Sequence, residues 1–475
     1  MNNQKKPNLF LALLPIISLI LIALPSAIKW KSGMNVPIIF AIIISCLVGK
    51  YIGISLDDME KSLMKGASRA MSAVFILIIV GSIIGLFIVS GVIPTLTYYG
   101  LNLITPKLFL PSAALVTAII ATATGTSFNS IATIGLALMA VGTAMGFPAH
   151  IVAGAVLSGA YFGDKISPLS DTTTVASSMS GCNIFEHVFH MMASSLIALF
   201  ASIIMYYFIG INFISTINTD WSTIEQLSNG IINNFNINPI LILIPLLGMV
   251  FALKKIPTIP SLLVTAIISG IFAIILQGSH ITELFKIATF GYQSNTGIKM
   301  LDSLLSRGGI NSMGGTIILL ILASALGGIL EEIGSLESIL DSIKKVVHSN
   351  RGILMSTIFS GLFISFATGA QILAIMIPAR MFSNVFKEKG LHTKNLSRIV
   401  ETVGTVGIIL VPWSVHAIFA SSILGVEPLK FIPFIFFAFI DLLINIILGF
   451  TGINIAKIDK LEEAYKQEKV SVNAI

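Results

Sequence analysis

The stretch Gly163-Asp164-Lys165-Ile166-Ser167-Pro168-Leu169-Ser170-Asp171-Thr172-Thr173-Thr174 sets two carboxylates, an ammonium and several hydroxyls around one proline, between the apolar runs 149–162 and 175–199. Carboxylate, hydroxyl and carbonyl oxygens are the donors that hard cations such as Na⁺ favour, as Mg²⁺ and Ca²⁺ do. Pro168 has no N–H and clashes with the preceding turn, so a helix arriving there breaks or kinks. Carbonyls freed at membrane depth are tolerated only when buried in protein or lining a wet cavity. Carboxylates inside a membrane are costly and mark ion or proton pathways. Asp164 and Asp171, with Ser167, Ser170, Thr172 and Thr173, are therefore the candidate cation- and proton-binding residues. Asp171, past the proline and among hydroxyls, is the expected ion ligand. Lys165 is the expected counter-ion of Asp164, and the plainer alternative is a structural ion pair that satisfies itself.

Three further groups could serve the same centre. The run Thr124-Gly125-Thr126-Ser127-Phe128-Asn129-Ser130 reads as a helical-hairpin tip, and Thr368 and Gln371 mark a second. The hydroxyls and amides of Thr124, Thr126, Ser127, Asn129, Thr368 and Gln371 could coordinate an ion or substrate, or could simply let helices pack closely. Pro412-Trp413-Ser414-Val415-His416 is a second helix break, where His416 could carry a proton or remain a neutral core residue. Arg398 and Glu401 precede that break and could pair with each other. Arg380 would be costly in lipid and should face protein or a cavity, as a structural partner or an anion ligand. Glu331 and Glu332 end an apolar span, with Glu332 expected in solvent and Glu331 buried.

The elements that must carry these residues follow from composition. The chain has 475 residues, 55% hydrophobic and 11% charged, with a mean hydropathy of +0.95. Soluble proteins carry about 25% charged residues, so this is a polytopic membrane protein. A spanning helix needs about 20 mostly apolar residues. The predicted spans are 9–28, 36–54, 71–92, 187–211, 239–253, 261–277, 316–333 and 431–451, with broken spans at 149–180 and 395–424 and hairpins at 110–146 and 352–386. No cleavable leader is expected. Cys46 and Cys182 read as small buried thiols without a disulfide. The net charge of +6 sits in short loops, as membrane topology requires, and does not point to nucleic acid. Lys5 and Lys6, 50–69, Lys254 and Lys255, 344–351, 387–398 and the tail from Lys457 are basic, and 212–238 has no Lys or Arg. That pattern places both termini in the cytoplasm; Lys29, Lys31, Lys286, Lys299 and Arg307 run against it.

Internal repetition supplies the architecture. Residues 123–182 slide onto 367–426 at a gapless offset of 244, with 14 identities in 60 positions. The identities include Thr124/Thr368, Gly125/Gly369, Gly163/Gly407, Pro168/Pro412, Ser170/Ser414 and Gly181/Gly425. The partners of Asp164 and Asp171 are Ile408 and Val415, so the second half keeps the break and loses the carboxylates. The expected fold is an all-α polytopic membrane protein of two inverted repeats with helical hairpins and broken transmembrane helices, a recurrent plan for secondary transporters. The divisions are an N-terminal segment with the first helix (1–33), repeat one (34–211), an extracellular loop and linking helix (212–257), repeat two (258–452) and a cytoplasmic tail (453–475).

No phosphate-binding Gly-x-x-x-x-Gly-Lys-Ser/Thr loop, no metal-spaced Cys/His cluster and no convincing nucleophile–base pair is present, so the expectation is a transporter and not an enzyme. The Gly163–Thr173 segment, close to G-D-x-x-S-P-L-S-D-T-T, resembles the NhaC-type sodium/proton antiporter family, as do Thr124-Gly125-Thr126-Ser127 and Pro412-Trp413. The likeness spans roughly 9–452. It implies Na⁺/H⁺ exchange in a bacterial cytoplasmic membrane, with Na⁺ and H⁺ as the transported or coupling ions, no cofactor and no metal beyond Na⁺. Many relatives follow Pro-Trp with Asn-Thr, where Ser414-Val415-His416 stands here. Because such relatives include malate/lactate antiporters, the alternative is a Na⁺- or H⁺-coupled exchanger of a small organic acid or amino acid, held by Arg380, His416 and the hairpin tips. The expected partners are the lipid bilayer and these solutes, with a monomer and a homodimer both left open.

Overall fold

The computed structural model describes residues 7–30, 32–103, 105–216, 221–254, 256–345 and 349–458. Lys5, Lys6, Lys31, Lys255 and the tail beyond residue 458, all used in the topology argument, lie outside the described residues. Those described are helical throughout, apart from turns and one isolated bridge between Leu391 and Lys457. Among the described residues, seven helices are long and apolar enough to cross a membrane, or up to ten if each bent pair is one span. With no water in the hydrocarbon, intrahelical bonding is what satisfies the backbone of such segments.

Helices form over the expected spans, with shifted ends, but Leu9–Ala23 and Asn35–Tyr51 fall short of a full span and Pro239–Leu247 counts as one only with Glu225–Asn234, across a 103° bend. The first is Leu9–Pro25 followed by a π turn, Ser26–Trp30. The span expected at 187–211 is a longer helix, Ile184–Thr216. The span at 431–451 is bent by 58° between Pro428–Phe434 and Phe436–Thr451. The supposed loop 212–238 instead contains the helix Trp221–Asn234, and the one carrying Lys286 and Lys299 contains Ile281–Phe290 and Lys299–Leu305. Their Asn-, Ser- and charge-bearing faces conceal them from a search for apolar runs. Leu56–Ser68 is a comparable amphipathic helix that packs on Gly314–Glu332, where a Cβ at Gly66 or Gly328 would strike backbone of the other helix.

Both hairpins are present. The first joins Pro106–Thr124 to Ser127–Ala144 and the second joins Asn350–Thr368 to Gln371–Glu388. Each first arm ends on a left-handed glycine, Gly125 at φ +68° and Gly369 at φ +63°, a conformation that glycine adopts without steric cost. Both broken helices are also present. The first runs Ala149–Ile166, pauses over 167–170, and resumes as Asp171–Ser180. The second runs Thr393–Leu410 and resumes as Val415–Leu424 at a 48° bend. The resumed helices match residue for residue at the offset of 244. Ser170 and Ser414 cap their N-termini, and left-handed Gly181 and Gly425 end them.

The two halves repeat a tertiary contact as well. The tip glycine Gly125 lies against Leu169 of the first break, and Gly369 lies against Trp413 and Ser414 of the second. The Gly369 carbonyl accepts the Val415 N–H at 3.1 Å. In the first half, glycines also let two spans touch, since a Cβ at Gly159 or Gly163 would collide with the backbone of Pro106–Thr124. The helices Ile184–Thr216 and Thr258–Gln277 are mostly unburied and present an apolar outer face, including Phe189, Phe200, Ile267 and Ile275.

Candidate cation site

The break at Pro168 turns Asp164 inward. Asp164 is 5% exposed, and each of its carboxylate oxygens accepts a hydroxyl: Ser127 Oγ donates to Oδ2 and Ser170 Oγ to Oδ1, both at 2.6 Å. One donor comes from the hairpin tip and the other from the break, so this carboxylate exists in its environment only because those elements meet. Hydrogen bonds to a charged group contribute about 1.5–3 kcal/mol each. Asp164, Pro168, Leu169, Ser170, Asp171 and Thr172 line a cavity of about 1190 Å³. The first tip closes one side through Thr124, Thr126, Ser127 and Asn129, and the second half adds Gln371, Val415 and His416. Asn129 Oδ1 and Gln371 Nε2 are buried with no hydrogen-bond partner among the described residues.

The other expected site residues divide into those at the cavity and those that hold the frame. Asp171 is exposed to the cavity rather than enclosed; Asp164, not Asp171, is the carboxylate surrounded by hydroxyls. Thr172 Oγ1 lies within hydrogen-bond distance of Glu401 Oε1, at 2.8 Å. The Ser167 and Thr173 hydroxyls turn to backbone instead: Ser167 donates to the Thr122 carbonyl at 2.8 Å and Thr173 to the Ser167 carbonyl at 2.7 Å. Thr368 likewise donates within its helix, to Ile364. Trp413 Nε1 donates to the Phe366 carbonyl at 2.8 Å, pinning the Pro412 break to the second hairpin, and Ser414 caps Ala417. His416 reaches the centre, with Nδ1 2.8 Å from the Tyr161 hydroxyl and its ring against Phe128.

Several expected charge pairs are corrected. Lys165 does not neutralise Asp164; its Nζ lies 2.5 Å from Asp441 Oδ2 and donates to Thr402 Oγ1 at 2.8 Å. Adjacent residues on a helix point about 100° apart, so a neighbour in sequence is not a neighbour on a face. Arg398 and Glu401 form no ion pair: Arg398 donates to the Asn454 carbonyl, and Glu401 is hydrogen-bonded with the Thr172 and Thr405 hydroxyls. Arg380 lies outside the large cavity, in a separate one of about 200 Å³ with Glu331, Glu337 and Asp341. Glu331 is exposed and paired with Arg69 at 2.6 Å, whereas Glu332 is partly buried, the reverse of the expectation. Both cysteines are free and partly buried.

Sequence reasoning passed over two charges at or beside the site. Asp441 stands alone in the apolar run 436–451 and is fully buried; the rule that flagged Asp164 would have found it. Arg69 lines the cavity although its position after an amphipathic helix reads as an ordinary basic loop.

A family model described as the Na⁺/H⁺ antiporter family matches residues 159–453, from the first break through Asp441. The Na(+)/H(+) antiporter NhaC of Alkalihalophilus pseudofirmus is 33% identical over 455 residues, covering 96% of this chain and 98% of that protein. NhaC of Bacillus subtilis is 34% identical over 454 residues, covering 95% and 99%. The Malate-2H(+)/Na(+)-lactate antiporter of Bacillus subtilis is 34% identical over 458 residues, covering 95% and 96%. With its broken helices, its buried carboxylate and a match along nearly its whole length, this chain belongs to the Na⁺/H⁺ antiporter family.

Proposed function

We propose that this protein exchanges Na⁺ for H⁺ across a bacterial cytoplasmic membrane, with both termini on the cytoplasmic side, and that Asp164 binds the cation. The carrying observation is the Asp164 carboxylate, nearly closed off at the cavity wall with a serine hydroxyl on each oxygen. An ionised carboxylate with hydroxyls is a hard-cation site, and the same carboxylate can instead take a proton, so Na⁺ and H⁺ exclude one another there. Asp171, exposed to the cavity, concentrates cations at the entrance. The halves 34–211 and 258–452 act as inverted repeats that rock about the breaks and expose the site to each side in turn. Matched tips, breaks and caps at one offset support this assignment.

The test is Na⁺-driven proton flux in proteoliposomes with no organic solute present. Wild-type protein should acidify or alkalinise the lumen according to the Na⁺ gradient, and Asp164→Asn, checked for folding, should abolish the flux. Normal exchange by that variant would refute the assignment.

One observation favours a second reading. A cavity of about 1190 Å³ is far larger than a dehydrated ion needs, and Arg69, an anion-pairing group, lines it. An organic acid that displaces Glu331 from Arg69 and meets Na⁺ held at Asp164 would fit the alternative of organic-anion exchange, the activity named for the malate/lactate relative. Flux that requires an added organic acid would select this reading.

A further inference from the structure

Glu401 is fully buried where the second broken helix passes from α into the π turn Thr402–Val406, and such turns are frequent at functional sites. Its Oε1 lies 2.8 Å from Thr172 Oγ1 and accepts from Thr405 Oγ1 at 2.7 Å. Its Oε2 is buried without a hydrogen-bond partner among the described residues. Thr172 Oγ1 lies 2.9 Å from Ser170 Oγ, which lies 2.6 Å from Asp164 Oδ1. Two carboxyls from different halves are thus joined through two hydroxyls by three short oxygen–oxygen contacts.

Counting protons along this chain constrains its charge. Three contacts need three protons, and two hydroxyls supply two. With both carboxyls ionised, Ser170 donates to Asp164 and Thr172 to Glu401, leaving lone pairs facing each other between the hydroxyls. One carboxyl proton closes the chain: Glu401 donates to Thr172, Thr172 to Ser170 and Ser170 to Asp164, or all three reverse. Asp164 keeps hydroxyl donors on both oxygens, whereas ionised Glu401 would leave one oxygen bare in a buried site, which is costly. The proton therefore rests on Glu401.

The surrounding charges give the same count. Glu401 is faced by Asp164 and Lys165 of the first broken helix and follows Arg398 by one turn, and Lys165 in turn faces Asp441. All are buried. Asp171 stands in the cavity outside this group, and the imidazoles of His187 and His416 bond the neutral hydroxyls of Ser397 and Tyr161, so they are left out of the count. Two cations against three anions leave one negative charge. A single proton, or a single Na⁺, brings the cluster to zero.

We propose that Glu401 is where the counter-transported proton resides, and that Ser170 and Thr172 relay it to Asp164 and the cavity when Na⁺ arrives. This rests on the reading of Asp164 as the Na⁺ site. In the step, O–H bonds of Glu401, Thr172 and Ser170 break while O–H bonds form on Thr172, Ser170 and Asp164. Asp164 passes its new proton to cavity water as Na⁺ takes its place, so one positive charge leaves as one enters.

The test uses the full chain in detergent, with Na⁺ added to a weakly buffered solution containing a pH dye and bound radioactive Na⁺ counted in parallel. Wild-type protein should release about one proton per Na⁺ bound, as one-for-one exchange at a neutralised cluster requires. Glu401→Gln, whose amide donates to Thr172 as the protonated acid does, should bind Na⁺ and release none. Thr172→Val should keep the yield of protons but slow their release about 100-fold, the scale of a positioned proton-transfer group, and Thr172→Ser should restore the rate. A Glu401→Gln protein that still releases one proton per Na⁺ overturns the proposal. If that variant binds too weakly to read, Thr172→Val decides, and an unchanged release rate overturns it. Failure of the underlying reading looks different: wild-type protein binds no Na⁺, or Asp164→Asn binds it normally.

Discussion

Lys165 Nζ and Asp441 Oδ2 stand 2.5 Å apart with no solvent exposure on either side chain, so the residue beside Asp164 is committed to a helix 276 positions further along. Ser195 adds a hydroxyl to the other Asp441 oxygen at 3.3 Å. Removing one partner of a buried pair leaves an uncompensated charge, at a cost of about 3–5 kcal/mol. Asp441→Asn should therefore lower the unfolding midpoint in detergent markedly, and Lys165→Met with Asp441→Leu together should recover most of the loss. A single variant as stable as wild type would show the pair to be dispensable.

The two aspartates of the first break should behave differently. Asp164 is enclosed by two serine hydroxyls, whereas Asp171 opens to the cavity, where solvent screens it. Asp171→Asn should raise the Na⁺ concentration for half-maximal flux by less than about tenfold, the size of a 1.4 kcal/mol loss, while Asp164→Asn stops exchange. Flux titrations in proteoliposomes compare them directly, and equal loss in both variants would contradict the structural ranking.

Helix packing around the first break offers a stability test. At Gly159 a side chain would strike the backbone of Pro106–Thr124 at Ala114. Because backbone cannot move aside as a flexible side chain can, Gly159→Val should cost about 1–3 kcal/mol or more. Gly278, with nothing near its added Cβ but φ +69°, should tolerate Ala at a smaller strain cost of about 1–2 kcal/mol. Folded yield and midpoint of the two variants check the order.

Acid should loosen the segment 291–309. Hydrogen bonds from the Thr296 N–H and hydroxyl, and from the Ser294 hydroxyl, hold the Asp302 carboxyl below its ordinary value of 3.8. A depressed native pKa adds stability above the unfolded value, and that contribution disappears as pH falls through the native one. Protection of residues 291–309 against hydrogen exchange, taken relative to the intrinsic amide rate at each pH, should therefore fall below about pH 4. Asp302→Asn should show the faster exchange at neutral pH and lose the acid dependence, and an unaltered profile in that variant would rule out Asp302 as its source.

Local chemistry in the sequence determined much of this protein. Apolar run lengths specify the spans because a bilayer has one thickness, and Pro168, Gly125 and their counterparts at offset 244 mark breaks and tips because those backbone limits belong to the residues themselves. Asp164 and Asp171 were legible as candidate carboxylates from their type and depth, but the expected ion ligand was Asp171, and only the fold shows Asp164 to be the enclosed one. Partnership was not legible, since it depends on which helix faces meet. Lys165 turns to Asp441, Arg398 to the Asn454 carbonyl and Arg380 to a separate cavity. Only the tertiary structure, by bringing the first break against the second, places Thr172 within 2.8 Å of Glu401. A carboxyl that looked like half of a local ion pair becomes the far end of a hydrogen-bonded chain to Asp164, because hydrogen bonding acts over about 3 Å and chain separation carries no information about it.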